Sequence, residues 1–530
     1  MEKKRKKKGL LSLLCLLLPL AMMVTAIGCG KKGDNSSTSD NGTTTNGNGS
    51  ATEEETTSKY DIPDTVGNKD YGDAVIRIAS TNRSWYDDEV VVARATGDIV
   101  DDAVYRRNKL VEQRLGVRLV NNPMGSGGAP QYAVPAQIRQ DKNGGMDSID
   151  IAWNPVYSTI MYTDEGLLAN LLELPNLNLQ AGYWSRLFNE TASIGNAQYM
   201  ATGPISLSYY RYVFVTYVNK TLLNSVDNAP DLVEVVNSGK WTLDYQYELA
   251  KGYYRDMDGV PHNEQDVYGF ISSPYLNVDP YWSSCEIEIL KKDENNFYEY
   301  NLTDATTKEK LVRTVDKILK LYYDEDATYL FKPDFADESG NGEQNRIAEK
   351  FGAGTAVMAT LRLLHVEDEC VRNLKDKYMI LPIAKLDESQ TTYYSYQHDS
   401  YTGVAIPSTV PTARYEMLGA VLEVLASESY HEVTPAYYET ALKVRYMDDQ
   451  ASWKMLDLIT NNIKMDAGAL YTKVLTMNAN GLGVTQALRG IINANKGNTV
   501  ATTYNESIAE TIRTKLTTMQ DSIKKLQGLT

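Results

Sequence analysis

Between Val75 and Ala152 the sequence alternates between short β-branched runs and amphipathic helical stretches, and no other feature limits the fold as strongly. Val75-Ile76-Arg77-Ile78-Ala79 reads as a strand, Val100 to Leu115 as an amphipathic helix, and Gly116 ends it before a second strand, Val117-Arg118-Leu119-Val120. Tyr132 to Lys142 is helical, Asn143-Gly144-Gly145 stops it, and Ile149-Asp150-Ile151-Ala152 is the third strand. Strand, helix, strand, helix, strand predicts an α/β fold with a mostly parallel sheet covered on both faces. Ligands of such sheets bind at the carboxyl ends of the strands. That singles out Ser80 to Tyr86 after the first strand and Trp153-Asn154 after the third.

The N-terminus has a different character. Lys3-Lys4-Arg5-Lys6-Lys7-Lys8 precedes an apolar stretch from Gly9 to Ile27, and small Gly28 stands before Cys29. This resembles a bacterial lipoprotein signal, with residues 1–28 removed and Cys29 acylated. Ala26 stands where the usual signal has Leu, and the alternative is an uncleaved transmembrane anchor. Either reading puts the folded part on the extracellular face of the cell membrane. Residues 29–58 are then the lipidated cysteine and a disordered linker of Gly, Ser, Thr, Asn and Asp. A coil of about thirty residues reaches about 30 Å. Six basic residues and one acid leave with the signal, so the formal net charge of −16 falls to −21, which argues against nucleic acid as a partner. Of the four cysteines only Cys285 and Cys370 remain to pair, and an extracellular site permits that bond without demanding it.

Tyr60 to Thr530 is too long for one ordinary core and predicts at least two lobes. Further strands are expected within Tyr209 to Val218 and at Tyr268-Gly269-Phe270, 378–382 and 403–407, with a helix at 245–254 and a mainly helical segment from Pro411. Taken in order, Tyr217-Val218-Asn219-Lys220, Trp241-Thr242-Leu243-Asp244 with Leu249-Ala250-Lys251, Tyr268-Gly269-Phe270, Phe351 to Met358, and Gly403 to Pro407 with the helix 413–427 make the chain similar to family 1 extracellular solute-binding proteins of bacterial ABC transporters. The resemblance spans about Val75 to Met465. It implies a two-lobed periplasmic-binding-protein-like fold, with mixed, mostly parallel sheets and the lobes joined by crossing strands near Tyr209–Tyr212 and Ser400–Val404. Lobe 1 would begin with 59–211, lobe 2 with 212–401, and a helical segment 402–530 would contribute to both. It also implies a monomer that hands its solute to permease subunits.

The aromatic balance suits that reading. With 37 Tyr and 6 Trp against 7 Phe, most aromatic area carries a polar handle. Sugars present flat C–H faces and a rim of hydroxyls, so an oligosaccharide cleft needs rings plus a few amide, carboxylate or guanidinium partners. For any one tyrosine, packing or surface decoration is the commoner role. Position after a strand or at a crossing selects Trp153, Asn154, Trp85, Tyr86, Tyr209, Tyr210, Asp399 and Tyr401 as ligand-binding candidates, with Trp282 in a loop of the second lobe and Arg362 after a strand. Trp184, Trp241 and Trp453 read as packing residues.

No G-x-S-x-G elbow, H-E-x-x-H, C-x-x-C or Walker loop occurs, and no cofactor is implied. Gly125-Ser126-Gly127-Gly128 is crowded by Pro130 and Pro135 and reads as a loop, and Asp256-Met257-Asp258-Gly259 lacks a third alternating oxygen ligand for calcium. The leading expectation is a lipid-anchored, non-enzymatic receptor that captures an oligosaccharide for an ABC permease. The alternatives are a surface carbohydrate-binding or sensor-coupled lipoprotein without a transport role, and an extracellular glycoside hydrolase whose two acids lie far apart in the chain.

Overall fold

The alternating segment forms the first sheet. β1 (Ala74–Thr81) and β2 (Val117–Met124) pair in parallel over eight residues, Ile76 opposite Leu119, and β3 (Ile151–Pro155) joins β1 on its other edge with Ile78 opposite Ile151. The helix Ile99–Leu115 between β1 and β2 is capped by Asp98, whose carboxylate accepts from the Val100 and Asp101 N–H groups, and it ends at Gly116 with φ of 57°. A side chain there would need that left-handed backbone and would also strike Asp70. The structure is a computed structural model that describes residues 58–83, 89–126, 129–332, 342–446, 450–476 and 483–529. The signal, Cys29, Trp85 and Tyr86 lie outside the described residues.

The chain then leaves for a second sheet. β4 (Phe214–Asn219) enters it antiparallel to its neighbours, and β5 (Tyr268–Ser272) follows the helix Leu243–Lys251. A separate hairpin of β6 (Leu290–Lys292) and β7 (Tyr298–Tyr300) precedes the helix Ala305–Tyr322 and β8 (Thr328–Leu330). The helix Gly342–Gly352, β9 (Ala356–Arg362) and β10 (Tyr378–Leu381) complete it in the order β10-β4-β9-β5-β8. The chain returns to the first sheet as β11 (Thr402–Ala405), antiparallel to β3, giving the order β11-β3-β1-β2. Each sheet thus holds one antiparallel strand delivered from the other lobe. The two crossings touch: Val213 bridges Gln397, the Phe214 N–H donates to the Tyr396 carbonyl at 2.9 Å, and the His398 N–H donates to the Tyr212 carbonyl at 2.9 Å. The expected two α/β lobes joined by crossing strands are what the strand order shows.

One face of the first sheet packs Ile76, Ile78, Ile151 and Trp153 against Val111 and Leu115 and against Leu418 and Leu422 of the helix Tyr415–Glu428. One face of the second packs Val215, Tyr217 and Ala359 against Ile347, Phe351, Leu456 and Ile459. Since Leu418 to Ala426 serve the first core and Val433, Tyr437 and Leu442 the second, the π-helical stretches Ser429–Val433 and Pro435–Tyr446 form a third crossing. The remaining face of each sheet belongs to one shared cluster that runs from Ala79 and Ala152 through Phe270 and Met358 to the C-terminal helix Ala509–Leu526. That helix buries Ile512, Leu516, Met519 and Ile523 at helical spacing, each apolar side chain stabilising by about 1.5 to 3 kcal/mol. Met519→Lys would put an unpaired charge into this seam. No helix among the described residues is long and apolar enough to cross a membrane.

Two expected elements are corrected. The third strand is Ile151–Pro155 rather than Ile149–Ala152: the Asp150 carboxylate is engaged sideways, accepting from the Arg77 N–H and Nε at 2.8 and 3.0 Å, so the strand starts two residues later, and it runs on to Pro155. The run from Tyr209 is not strand until Phe214. Ser208–Arg211 is a helical turn held by Glu89, which accepts from the Ser208 N–H at 2.9 Å. Cys285 and Cys370 are both free, the first buried, and burial pushes the Cys285 thiol up to about 12.

Candidate functional site

The carboxyl ends of the parallel strands meet the return crossing around Asp399. From the first lobe come Arg83, two residues past β1, and Tyr157, two residues past β3, with Gln131 and Tyr132 ahead of the helix Ala133–Gly144. Arg83 Nη2 donates to Gln131 Oε1 at 3.3 Å, and the Tyr132 and Tyr157 rings meet edge to face at 6.2 Å and 89°. Lys473 Nζ stands 5.8 Å from the Tyr157 ring. All of these are half-buried, as Asp399 is.

The second lobe supplies Tyr275, three residues past β5, and a buried ion pair. Arg489 Nε donates to Asp279 Oδ1 at 2.7 Å and its Nη2 donates to Asp279 Oδ2, while the guanidinium lies 4.8 Å from the Tyr275 ring. Arg362, the last residue of β9, lies 5.3 Å over Tyr212, whose ring stacks on His398 at 6.1 Å.

Asp399 holds the electrostatics of this place together. Burial and then the Asp399 charge raise the Tyr132 and Tyr157 hydroxyls above the usual tyrosine range, so both stay protonated donors at neutral pH. His398 Nδ1 is 3.6 Å from Asp399 Oδ1, yet burial outweighs that carboxylate and lowers His398 to about 4, leaving it neutral. Burial raises Asp279 against the pull of Arg489, with Asp399 adding to the rise. Half-buried rings, one carboxylate, and Arg83 and Lys473 as cations make a lining suited to a polyhydroxylated solute.

The sequence candidates divide sharply. Asp399 and Arg362 belong to this site. Trp153 does not, and the expectation of an exposed ring at the sheet edge is corrected. Because β3 continues to Pro155, Trp153 sits inside the ladder opposite Val404, is 1% exposed, donates from Nε1 to Thr402 Oγ1 at 3.2 Å and lies under Arg107 at 5.6 Å. Asn154 points to the other face but is spent there, donating to the Gln131 carbonyl and Thr159 Oγ1 at 3.0 and 2.9 Å and accepting from Thr81 Oγ1 at 2.5 Å. Trp282 is wholly buried against Tyr504, with no hydrogen-bond partner for Nε1 among the described residues. Tyr401 is wholly buried, its hydroxyl 3.8 Å from the Met465 sulfur. Tyr209 and Tyr210 are nearly buried, pack edge to face at 5.3 Å, and face a different part of the molecule.

Tyr157, Tyr132, Tyr275, Arg83, Lys473 and Arg489 were missed. The strand-end rule finds Tyr157 once β3 is ended correctly. Arg489 leaves no such signal, being one polar residue in the amphipathic helix Val484–Asn493, far along the chain from Asp279. Asp256, Asp258 and Asp266 bring oxygens within 4.8 Å of one another, but the Asp258, Gly259, Val260, Met257 and Asn263 N–H groups occupy them, as in a tight polar turn.

The chain matches no family model and no curated protein. Among solved structures it is similar to a family 1 extracellular solute-binding protein from Bifidobacterium longum subsp. infantis, at 12% identity over 84% of this chain and 100% of that one, with a TM-score of 0.49. It is also similar to a cyclo/maltodextrin-binding protein complexed with maltotetraose, at 12% identity over 87% and 99% with a TM-score of 0.48, and to a protein solved with mannobiose bound, at 12% over 85% and 100% with a TM-score of 0.44.

Proposed function

We propose that this chain is an extracellular, lipid-anchored solute receptor that holds an oligosaccharide between its lobes and delivers it to an ABC permease. The observation that carries the reading is that Asp399 acts on half-buried Tyr132 and Tyr157, with Arg83 beside them, from one lobe and on Arg489, which lies against Tyr275, from the other, at the strand ends where α/β sheets bind ligands. Hinge motion at the crossings would sequester a ligand held by both sides. The anchor part of the reading rests on the sequence from Lys3 to Cys29. A hydrolase would need two carboxyl groups free to flank a glycosidic bond, whereas both Asp279 oxygens are taken by Arg489.

A panel of oligosaccharides, simple sugars, polyols and peptides, read by melting temperature, tests this. At a hundredfold excess over its dissociation constant the right solute adds about 2.7 kcal/mol of stability. A shift confined to peptides would overturn the sugar assignment, and no shift from any member would overturn the receptor reading.

A further inference from the structure

Tyr209 and Tyr210 belong to a groove whose lining shares no residue with the Asp399 cluster. Tyr401 is wholly buried and within electrostatic reach of both Tyr209 and Asp399. Two adjoining cavities of about 270 and about 200 Å3 share Tyr210, Tyr430, Thr460 and Asn461. Their walls come from the first lobe at Ser185 and Pro204, from the third crossing at Tyr430, and from the second-lobe helix Gln450–Asn461.

The lining is aromatic and still has hydrogen-bonding capacity. Tyr60 meets Tyr430 at 5.2 Å, Tyr438 lies 5.9 Å from Tyr210, and all four line the larger cavity. Tyr438, Lys443 and Lys59 all converge on Asp457 Oδ1, at 2.7, 3.3 and 3.4 Å, and among the described residues nothing takes Oδ2. The Tyr430 hydroxyl and the exposed Asn461 amide likewise have no hydrogen-bond partner among the described residues. A carboxylate oxygen, a phenol and an amide, each with bonds to offer beside ring faces, match a pyranose, which presents vicinal hydroxyls around a flat C–H face.

We propose that this groove is a second binding site, separate from the Asp399 cleft, for a pyranose sugar or the end of a longer glycan. The test is saturation-transfer NMR of the full chain with D-glucose, D-mannose, D-galactose and D-xylose, compared with Asn461→Trp and Tyr157→Ala. Asn461 is exposed at a helix end, so Asn461→Trp fills the groove while keeping the parent melting temperature. At least one sugar should show transfer that weakens about tenfold in apparent affinity in Asn461→Trp, equivalent to about 1.4 kcal/mol, and that persists in Tyr157→Ala. Tyr430→Ala should show the same loss without added bulk. No transfer from any of the four, or transfer that survives Asn461→Trp and vanishes in Tyr157→Ala, would overturn the proposal; the second outcome leaves the cleft reading intact.

Discussion

Two regions at the carboxyl end of the first sheet invite comparison: the sealed network around Trp153 and Glu89, and the half-buried rim around Tyr157 and Asp399. They are separated by only a few residues of chain. In the sealed region every strong group is spent internally. Glu89 accepts from the Ser208 N–H and Thr402 Oγ1, Arg107 donates to the Glu89 and Val90 carbonyls at 3.0 and 2.8 Å, and Trp153 closes over Thr402. These bonds tie the first lobe to both crossings. At the rim, the Tyr132, Tyr157, Arg83 and Asp399 side chains stay half-buried. A residue's place along a strand therefore matters less than whether it lies inside the ladder or just past it.

Arg489→Leu should have the largest effect. It leaves Asp279 buried without its partner, a loss of about 3 to 5 kcal/mol in denaturant stability, and it also removes one of the two second-lobe cations at the rim, leaving Arg362. A stable variant would show that Asp279 does not depend on Arg489 as its buried partner.

Trp153→Ala should cost nearly as much, about 3 to 5 kcal/mol, because it empties a core site. Affinity per folded molecule should stay at the parent value. Calorimetric titration beside an unliganded melt separates the two quantities.

Tyr157→Ala should behave in the opposite way, with a small change in unliganded melting temperature and a loss of about 1 to 3 kcal/mol in binding, or about ten- to a hundredfold in affinity. The same pair of measurements decides it.

Glu89 gives the smallest and most specific effect. Burial raises its carboxyl above the ordinary glutamate range, against the hydrogen bonds from Thr402 and Ser208 and the charge of Arg211. A raised carboxyl binds more protons in the folded state, so this group's contribution to stability is greatest in acid and falls as pH rises from the unfolded value through the folded one. Glu89→Gln should flatten that slope. Urea midpoints from about pH 4 to about pH 8 would show it, and an unchanged slope would remove Glu89 as its source.

Much of the architecture was readable from pattern. The helices Ile99–Leu115 and Ala509–Leu526 and the strands at 75, 117, 268 and 403 carry strong periods, and the crossing near Ser400 follows from the family resemblance. The site was less legible. The strand Ile151–Pro155 is buried on both faces, so period alone does not say where it stops, and a three-residue error moved the choice from Tyr157 to Trp153. Tyr209 and Tyr210 look like strand residues by composition, yet the Glu89 carboxylate, distant in sequence, bends them into a turn. The Arg489–Asp279 pair joins residues from separate elements, and nothing local in either announces the other.

On the proposed function, solute is to be held at the Asp399 rim between the lobes. Amide hydrogen exchange on the full chain, with and without the sugar selected by the melting panel, tests it most directly. Protection is expected at 155–160, 273–276 and 396–401. Protection confined to 203–210 and 457–463, with the rim unchanged, would contradict it.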